Sequence, residues 1–217
     1  MTDSKDDDRE EKFRVMSREK ALAVLIEVTD TLDSTGNVYW LSDGTLLGLV
    51  REGDFIAHDD DIDIVVLASS FNPEAIHQLI AKGFVVNQLF GALEKGFGLT
   101  MRRDGIRVDW FMCYEKDGQH VYSIFQQISR HRGQRLDYVY PIVQRKKQLF
   151  LGHEFYVPKD PEAYTETQYG PYWKMPNKTW NSFIDPHNIV YSGEFVNFGE
   201  CTKQLESQLG ITVGDRK

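Results

Sequence analysis

Between residues 14 and 32, apolar side chains recur at Leu22, Leu25, Val28 and Leu32. Gaps of three and four predict a helix with one buried stripe, closed by "DSTGN" at 33–37. "VYWL" (38–41) predicts a short strand, and "SDGTLLGLVRE" (42–52) places cap-type residues and a glycine ahead of Leu46, Leu47 and Val50. That order predicts a strand-to-helix turn. "DIDIVVL" (61–67) reads as a second strand, and Asn72-Pro73 opens a helix that carries Ile76, Leu79 and Ile80 and stops near Gly83. Segments 84–90, 97–103 and 106–114 predict three strands, the last two joined by a hairpin turn at Asp104-Gly105. A further strand pair is expected at 121–127 and 148–157. The last third, rich in Tyr, Trp, Pro and Gly, reads as less regular.

No repeat or linker divides the chain. The expectation is an acidic tail at 1–13 followed by a single α/β (α+β) domain at 14–217, a mixed β-sheet flanked by helices. A chain of 217 residues is long enough for one substantial core. Its net charge of −8 argues against a nucleic-acid partner, which calls for a basic footprint. Local basic clusters at 129–135 and 144–148, with Arg102 and Arg103, remain as phosphate candidates or solvated loops. The two cysteines, Cys113 and Cys201, form neither a disulfide framework nor a zinc signature, and His153 and His187 add no ligand-like spacing. The N-terminus lacks a signal-peptide apolar run, and no stretch reaches the roughly 18 apolar residues that span a bilayer. A cytoplasmic location is therefore expected. The sequon Asn177-Lys178-Thr179 would matter only in a secreted or luminal chain.

The chemistry concentrates at "HDDDIDIVV" (58–66), where four carboxylates run into a β-branched stretch. Strand alternation resolves the conflict, since same-face neighbours lie about 6.5–7 Å apart. Asp59, Asp61 and Asp63 then share one face, and Ile62, Ile64 and Val66 share the other. Acids packed this closely raise one another's pKa values unless a cation neutralises them. Hard divalent ions prefer oxygen ligands, so Mg²⁺, or Mn²⁺ in its place, is the expected cofactor. Asp109, an acid inside "IRVDWF", completes a three-carboxylate metal site if its strand lies beside 61–67. Upstream, Gly44 permits close approach of a phosphate to a helix start, Thr45 offers a hydroxyl, and Arg51 can fork onto phosphate oxygens. Each element alone is common in proteins without such a site. Their order and spacing together point to phosphoryl transfer.

That order, Gly-Thr, then an Asp-hydrophobic-Asp strand, then a later Asp, resembles the nucleotidyltransferase superfamily, whose fold is shared with polymerase β. More narrowly, "LSDGTLLGLVREGDFIAHDDDIDIVV" resembles the LicD/fukutin family, with its Gly-Thr-Leu-Leu-Gly, Arg, Phe-Ile and Trp-Asp-x-Asp-x-Asp elements. "YGPYWKMP" (169–176) is similar to that family's late Tyr-Gly-x-x-Trp-x-x-Pro segment, so the resemblance covers about residues 20–180. Tyr169 and Trp173, with Gly170 and Pro176, then line a donor or acceptor pocket or close the domain as a packed turn. His58 stands where the family commonly has Trp. The general base stays open between His58, Asp59 and a metal-polarised acceptor hydroxyl.

The resemblance implies a metal-dependent phosphotransferase that moves a phospho-alcohol, such as phosphocholine or ribitol phosphate, from a CDP-activated donor to a glycan hydroxyl and releases CMP. Cell-envelope decoration, as in lipopolysaccharide or teichoic acid synthesis, is the matching setting. The implied partners are the CDP-alcohol and a glycan or glycolipid acceptor, with peripheral membrane association left open. Two alternatives remain: adenylylation of a small hydroxylated compound such as an antibiotic, and a catalytically silent binding module.

Overall fold

The computed structural model describes residues 16–214, so the expected acidic tail at 1–13 lies outside the described residues. Helix α1 (Arg18–Ser34) buries Ala21, Val24, Leu25, Val28 and Leu32 along one stripe, as the gaps of three and four demand. Strand β1 (Tyr39–Leu41) leads directly into α2 (Asp43–Glu52), and β2 (Asp61–Leu67) follows. Next come α3 (Glu74–Ala81), β3 (Val85–Ala92), β4 (Lys95–Arg103) and β5 (Ile106–Lys116). Asp104 and Gly105 take left-handed φ angles of 54° and 82°, the two positive values that a tight β4–β5 turn requires.

The sheet is mixed. β2 pairs antiparallel with β1 and parallel with β5, while β5 also pairs antiparallel with β4, and β4 with β3. The sheet continues from the end of β5 through β6 (Gln119–Ser129) and β7 (Arg132–Pro141) to β10 (Ile189–Asn197), all antiparallel. A separate hairpin, β8 (Arg145–Phe150) with β9 (His153–Pro158), lies against β1, and α4 (Pro161–Tyr169) and α5 (Phe198–Leu209) complete the described elements. Ile62, Ile64 and Val66 of β2 are fully buried, as are Val108 and Trp110 of β5. These side chains anchor the strand pair on which the acids stand. No helix among the described residues is long and apolar enough to cross a membrane.

Two expectations need correction. Segment 121–127 does not pair with 148–157: β6 pairs with β7, and 148–157 folds back on itself around a turn at Leu151-Gly152, where both φ angles are positive. β7 overlaps the basic cluster "SRHRGQR" (129–135) and carries no simple apolar alternation, because its buried Arg135 and Asp137 neutralise each other within the strand. The last third is more regular than expected, since it holds α4, β10 and α5. Only Leu205 and Leu209 of α5 are buried, and most of β10 is exposed, so neither element carries a strong apolar period.

Gly48 of α2 shows how tightly the first half is assembled. A Cβ there would sit 2.5 Å from the Asp54 carbonyl oxygen and 3.1 Å from the Ile56 nitrogen. The loop that carries Phe55 and Ile56 therefore lies directly on the helix. Gly48→Ala is expected to lose about 1–3 kcal/mol through overpacking, despite the gain of about 1 kcal/mol that Ala normally brings to a helix interior. Urea unfolding reads the sign, and a stabilised variant would show that the loop yields freely.

Candidate active site

The parallel pairing of β2 with β5 sets Asp63 opposite Asp109 and Asp61 opposite Arg107. Alternation puts these four side chains on one face of the sheet. One carboxylate oxygen from each of Asp61, Asp63 and Asp109 lies within 4.8 Å of the others, and Asp59, Asp60 and Asp61 form a second such group. Three oxygen donors at this spacing suit a hard divalent cation.

Asp63 is the most constrained of the three. Its Oδ2 accepts the Gly44 N–H at 2.9 Å, its own N–H donates to Thr45 Oγ1 at 2.9 Å, and its carbonyl accepts the Ser42 N–H at 3.2 Å. The start of α2 is thereby stitched to β2, and the positive end of the helix dipole faces the carboxylate. A Cβ on Gly44 would meet Asp59 Oδ2 at 2.4 Å and Asp63 Oδ2 at 3.2 Å, so only glycine leaves this space to the carboxylates. Asp109 is oriented by the Thr100 hydroxyl, which donates to its Oδ1 at 2.6 Å.

Burial pushes the Asp63 carboxyl well above its ordinary range, and the charges of Asp43, Asp59 and Asp109 push the same way against the Gly44 N–H. Asp109 is raised by burial, opposed first by Arg107 and then by Thr100. Asp59 is raised by burial and by Asp60 to about 6. Burial also raises Asp43, whose carboxylate accepts from the Tyr122 hydroxyl at 2.8 Å and from Gln168 Nε2 at 2.7 Å. With Asp61, five acids crowd one site, which is a standing demand for positive charge.

These groups border a cavity of about 740 Å³. Gly44, Arg51, His58, Asp59, Asp61, Asp63 and Asp109 line it, as do Tyr169 and Trp173. Arg51 forms an ion pair with Glu52 at 2.7 Å, so a phosphate would compete with a neighbour on the same helix. Tyr169 packs on Trp180 with ring centroids 4.6 Å apart. Trp173 lines the cavity but is 5% exposed and packs with Leu47 and Ile56, so most of the side chain is core. Asp60 points outward, as its side-chain exposure of 64% shows.

Thr45 corrects an expectation. Its side chain is buried, it does not line the cavity, and its oxygen is engaged by the Asp63 N–H. In this position it braces β2, the strand that carries Asp61 and Asp63. Three neighbours escaped the sequence reading: Asp43, Arg107 and Thr100. Asp43 has a left-handed φ of 43°, a conformation that Asp tolerates better than most residues. Arg107 precedes Asp109 by two positions in one strand, and that spacing alone marks a shared face.

Comparison with known sequences adds three findings. Residues 36–160 match the family described as LicD/FKTN/FKRP, nucleotidyltransferase domain. The Ribitol-5-phosphate transferase FKTN of Mus musculus is 28% identical over 177 residues, covering 81% of this chain and 38% of that protein, and the Homo sapiens protein is 28% identical over 180 residues, covering 82% and 38%. The chain thus spans less than two-fifths of these relatives. An uncharacterized protein of Rickettsia prowazekii is 27% identical over 190 residues, covering 86% of this chain and 64% of its own length. Among solved structures, the antibiotic-resistance factor ANT(2'')-Ia aligns with a TM-score of 0.46 at 13% identity, covering 76% of this chain and 79% of that one.

The raised Asp59 carboxyl gives a pH signature in metal-free protein. A folded pKa near 6 against an ordinary 3.8 means that its stabilising proton is fully bound below about pH 4 and is lost as pH rises through about 6. With EDTA present, the urea midpoint of the wild type is expected to fall relative to Asp59→Asn across that window. A pH-independent difference between the two would refute the assignment.

Proposed function

The chain belongs to the LicD/fukutin family, and from that premise we propose that it is a metal-dependent phosphotransferase that moves a phospho-alcohol from a CDP-activated donor onto a glycan hydroxyl. The observation that carries this reading is the register of Asp63 with Asp109, which gathers three carboxylates at one end of a cavity large enough for a nucleotide-linked donor. The FKTN relatives named as ribitol-5-phosphate transferases favour ribitol phosphate as the transferred group. Phosphocholine and glycerol phosphate are the chemical neighbours to test beside it.

Asp61, Asp63 and Asp109 would hold Mg²⁺ or Mn²⁺, and the ion, when bound, would supply positive charge that neutralises the phosphates. The protein's own groups do the positioning that phosphoryl transfer mostly requires. The Gly44 N–H and the Thr45 brace fix the direction of Asp63, and Thr100 fixes that of Asp109. Arg51 at the cavity edge offers a planar fork to a phosphate if it releases Glu52. The acceptor oxygen forms a bond to the distal phosphorus while the bridging P–O bond breaks, and CMP leaves with that electron pair. Asp59, on the cavity wall beside Gly44, would take the acceptor's proton at its carboxylate. The buried aromatic side encloses the reacting groups and limits the water that would otherwise compete as acceptor.

The decisive measurement is CMP release from CDP-ribitol, CDP-choline and CDP-glycerol with Mg²⁺ and a glycan acceptor. At least one donor should release CMP only with metal and acceptor present, and Asp63→Asn should lower the rate by about 10³-fold or more. Pyrophosphate release from ATP in place of CMP release would reassign the site to nucleotidyl transfer. Absence of both activities, with unchanged metal binding in the double variant Asp61→Ala, Asp63→Ala, would leave only a binding module.

A further inference from the structure

One guanidinium sits inside the acidic constellation. Arg107 is the register partner of Asp61 across the parallel pair and stands two residues before Asp109 on β5. Its Nη2 donates to Asp61 Oδ2 and reaches Asp60 Oδ1 at 3.3 Å, and its Nε lies 3.4 Å from Asp109 Oδ2. That Nε is buried and makes no hydrogen bond of its own. The side chain is therefore held by charge on three acids, with one donor left unsatisfied.

Asp61 and Asp109 are also two of the three carboxylates that converge as metal ligands. A guanidinium and a divalent cation drawn to the same two carboxylates repel each other, and at contact distances in a partly buried site that repulsion is large. A cation among the three acids would therefore weaken the contacts that Arg107 makes with Asp61 and Asp109. We propose that Arg107 is a resident competitor for the metal: it neutralises and positions Asp61 and Asp109 in the metal-free protein and releases them when a divalent cation binds. The inference rests on the metal-dependent reading of the site and adds to it a residue that sets how much metal is needed. Without a counter-cation, Asp61, Asp63 and Asp109 would repel one another and splay, so Arg107 keeps the ligands gathered at a cost in metal affinity. The arrangement trades affinity for preorganisation.

Mn²⁺ titration followed by the electron paramagnetic resonance of the free ion tests this on the full chain, with Arg107→Gln, Arg107→Lys and Asp63→Asn beside the wild type. Arg107→Gln is expected to bind Mn²⁺ about tenfold more tightly, and Arg107→Lys to fall between, because one ammonium cannot span Asp61 and Asp109. In EDTA, Arg107→Gln should melt below the wild type, and saturating Mn²⁺ should raise its melting temperature by more. A merely structural arginine would give the lower melting temperature without the tighter binding. Equal or weaker Mn²⁺ affinity in Arg107→Gln, with the wild type binding and Asp63→Asn not, overturns the competitor role and leaves the metal-dependent reading intact. No Mn²⁺ binding by any of the proteins overturns both. Should Arg107→Gln fail to fold without metal, Arg107→Lys against the wild type decides in the same way: tighter binding supports the proposal, and equal or weaker binding refutes it.

Discussion

Asp63 and Asp109 are held side by side although their charges repel, because β2 and β5 pair in parallel with these residues in register. Hydrophobic burial on the opposite face sustains that pairing. Ile62, Ile64, Val66 and Val108 are fully buried, and each aliphatic side chain removed from water stabilises the fold by about 1.5–3 kcal/mol. A one-residue slip of β2 would turn Ile62, Ile64 and Val66 toward the cavity and Asp61 and Asp63 toward the core. The apolar face thus fixes the register, and the register fixes the distance between the acids. Packing and chemistry are two faces of one strand pair.

The start of α2 sets the direction of the carboxylate that the register has placed. Gly44 and Thr45 act on opposite sides of Asp63, one donating to its carboxylate and the other accepting from its backbone. Gly44 is needed for clearance, since any side chain there would occupy the space of Asp59 and Asp63. The Gly-Thr pair is in this structure a device for holding an acid. The acid, in turn, faces a cavity where positive charge is scarce and Arg107 is the nearest cation to Asp61.

Much of this could be read before the structure. Helix α1, the strand at 61–67 and the Asp104-Gly105 hairpin all follow from local periodicity or turn chemistry, which act within a few residues. The face shared by Asp61 and Asp63 follows from alternation alone. Asp117-Gly118 carries the same turn signal, with φ angles of 51° and 74°, and would have located the β5–β6 hairpin. β7 was hidden because Arg135 and Asp137 are buried as a pair, which no hydrophobic pattern announces. Asp43 was hidden for a related reason: the groups that hold it, Tyr122 and Gln168, lie 79 and 125 residues away. Partners far apart in the chain leave no local trace.

One small apolar cluster explains why distant sequence signatures belong to one site. Leu47 comes from the Gly-Thr-Leu-Leu-Gly segment, Ile56 from the Phe-Ile pair, and Trp173 from the late Tyr-Gly-x-x-Trp segment, and the three pack together apart from the main core. Gly170 makes this possible, because its φ of 75° and the His187 ring, 2.4 Å from where a Cβ would stand, exclude any other residue without rearrangement. Trp173 is thereby pinned against α2, and Trp180 and Phe183 of the segment that follows line the same cavity as the acids. The acidic wall and the aromatic wall are therefore fixed to the same helix, α2, at its first turn and along its flank. A displacement of α2 would alter the carboxylate geometry and the cavity width together. The spacing of the acids and the width of the cavity are mechanically one adjustment in this fold.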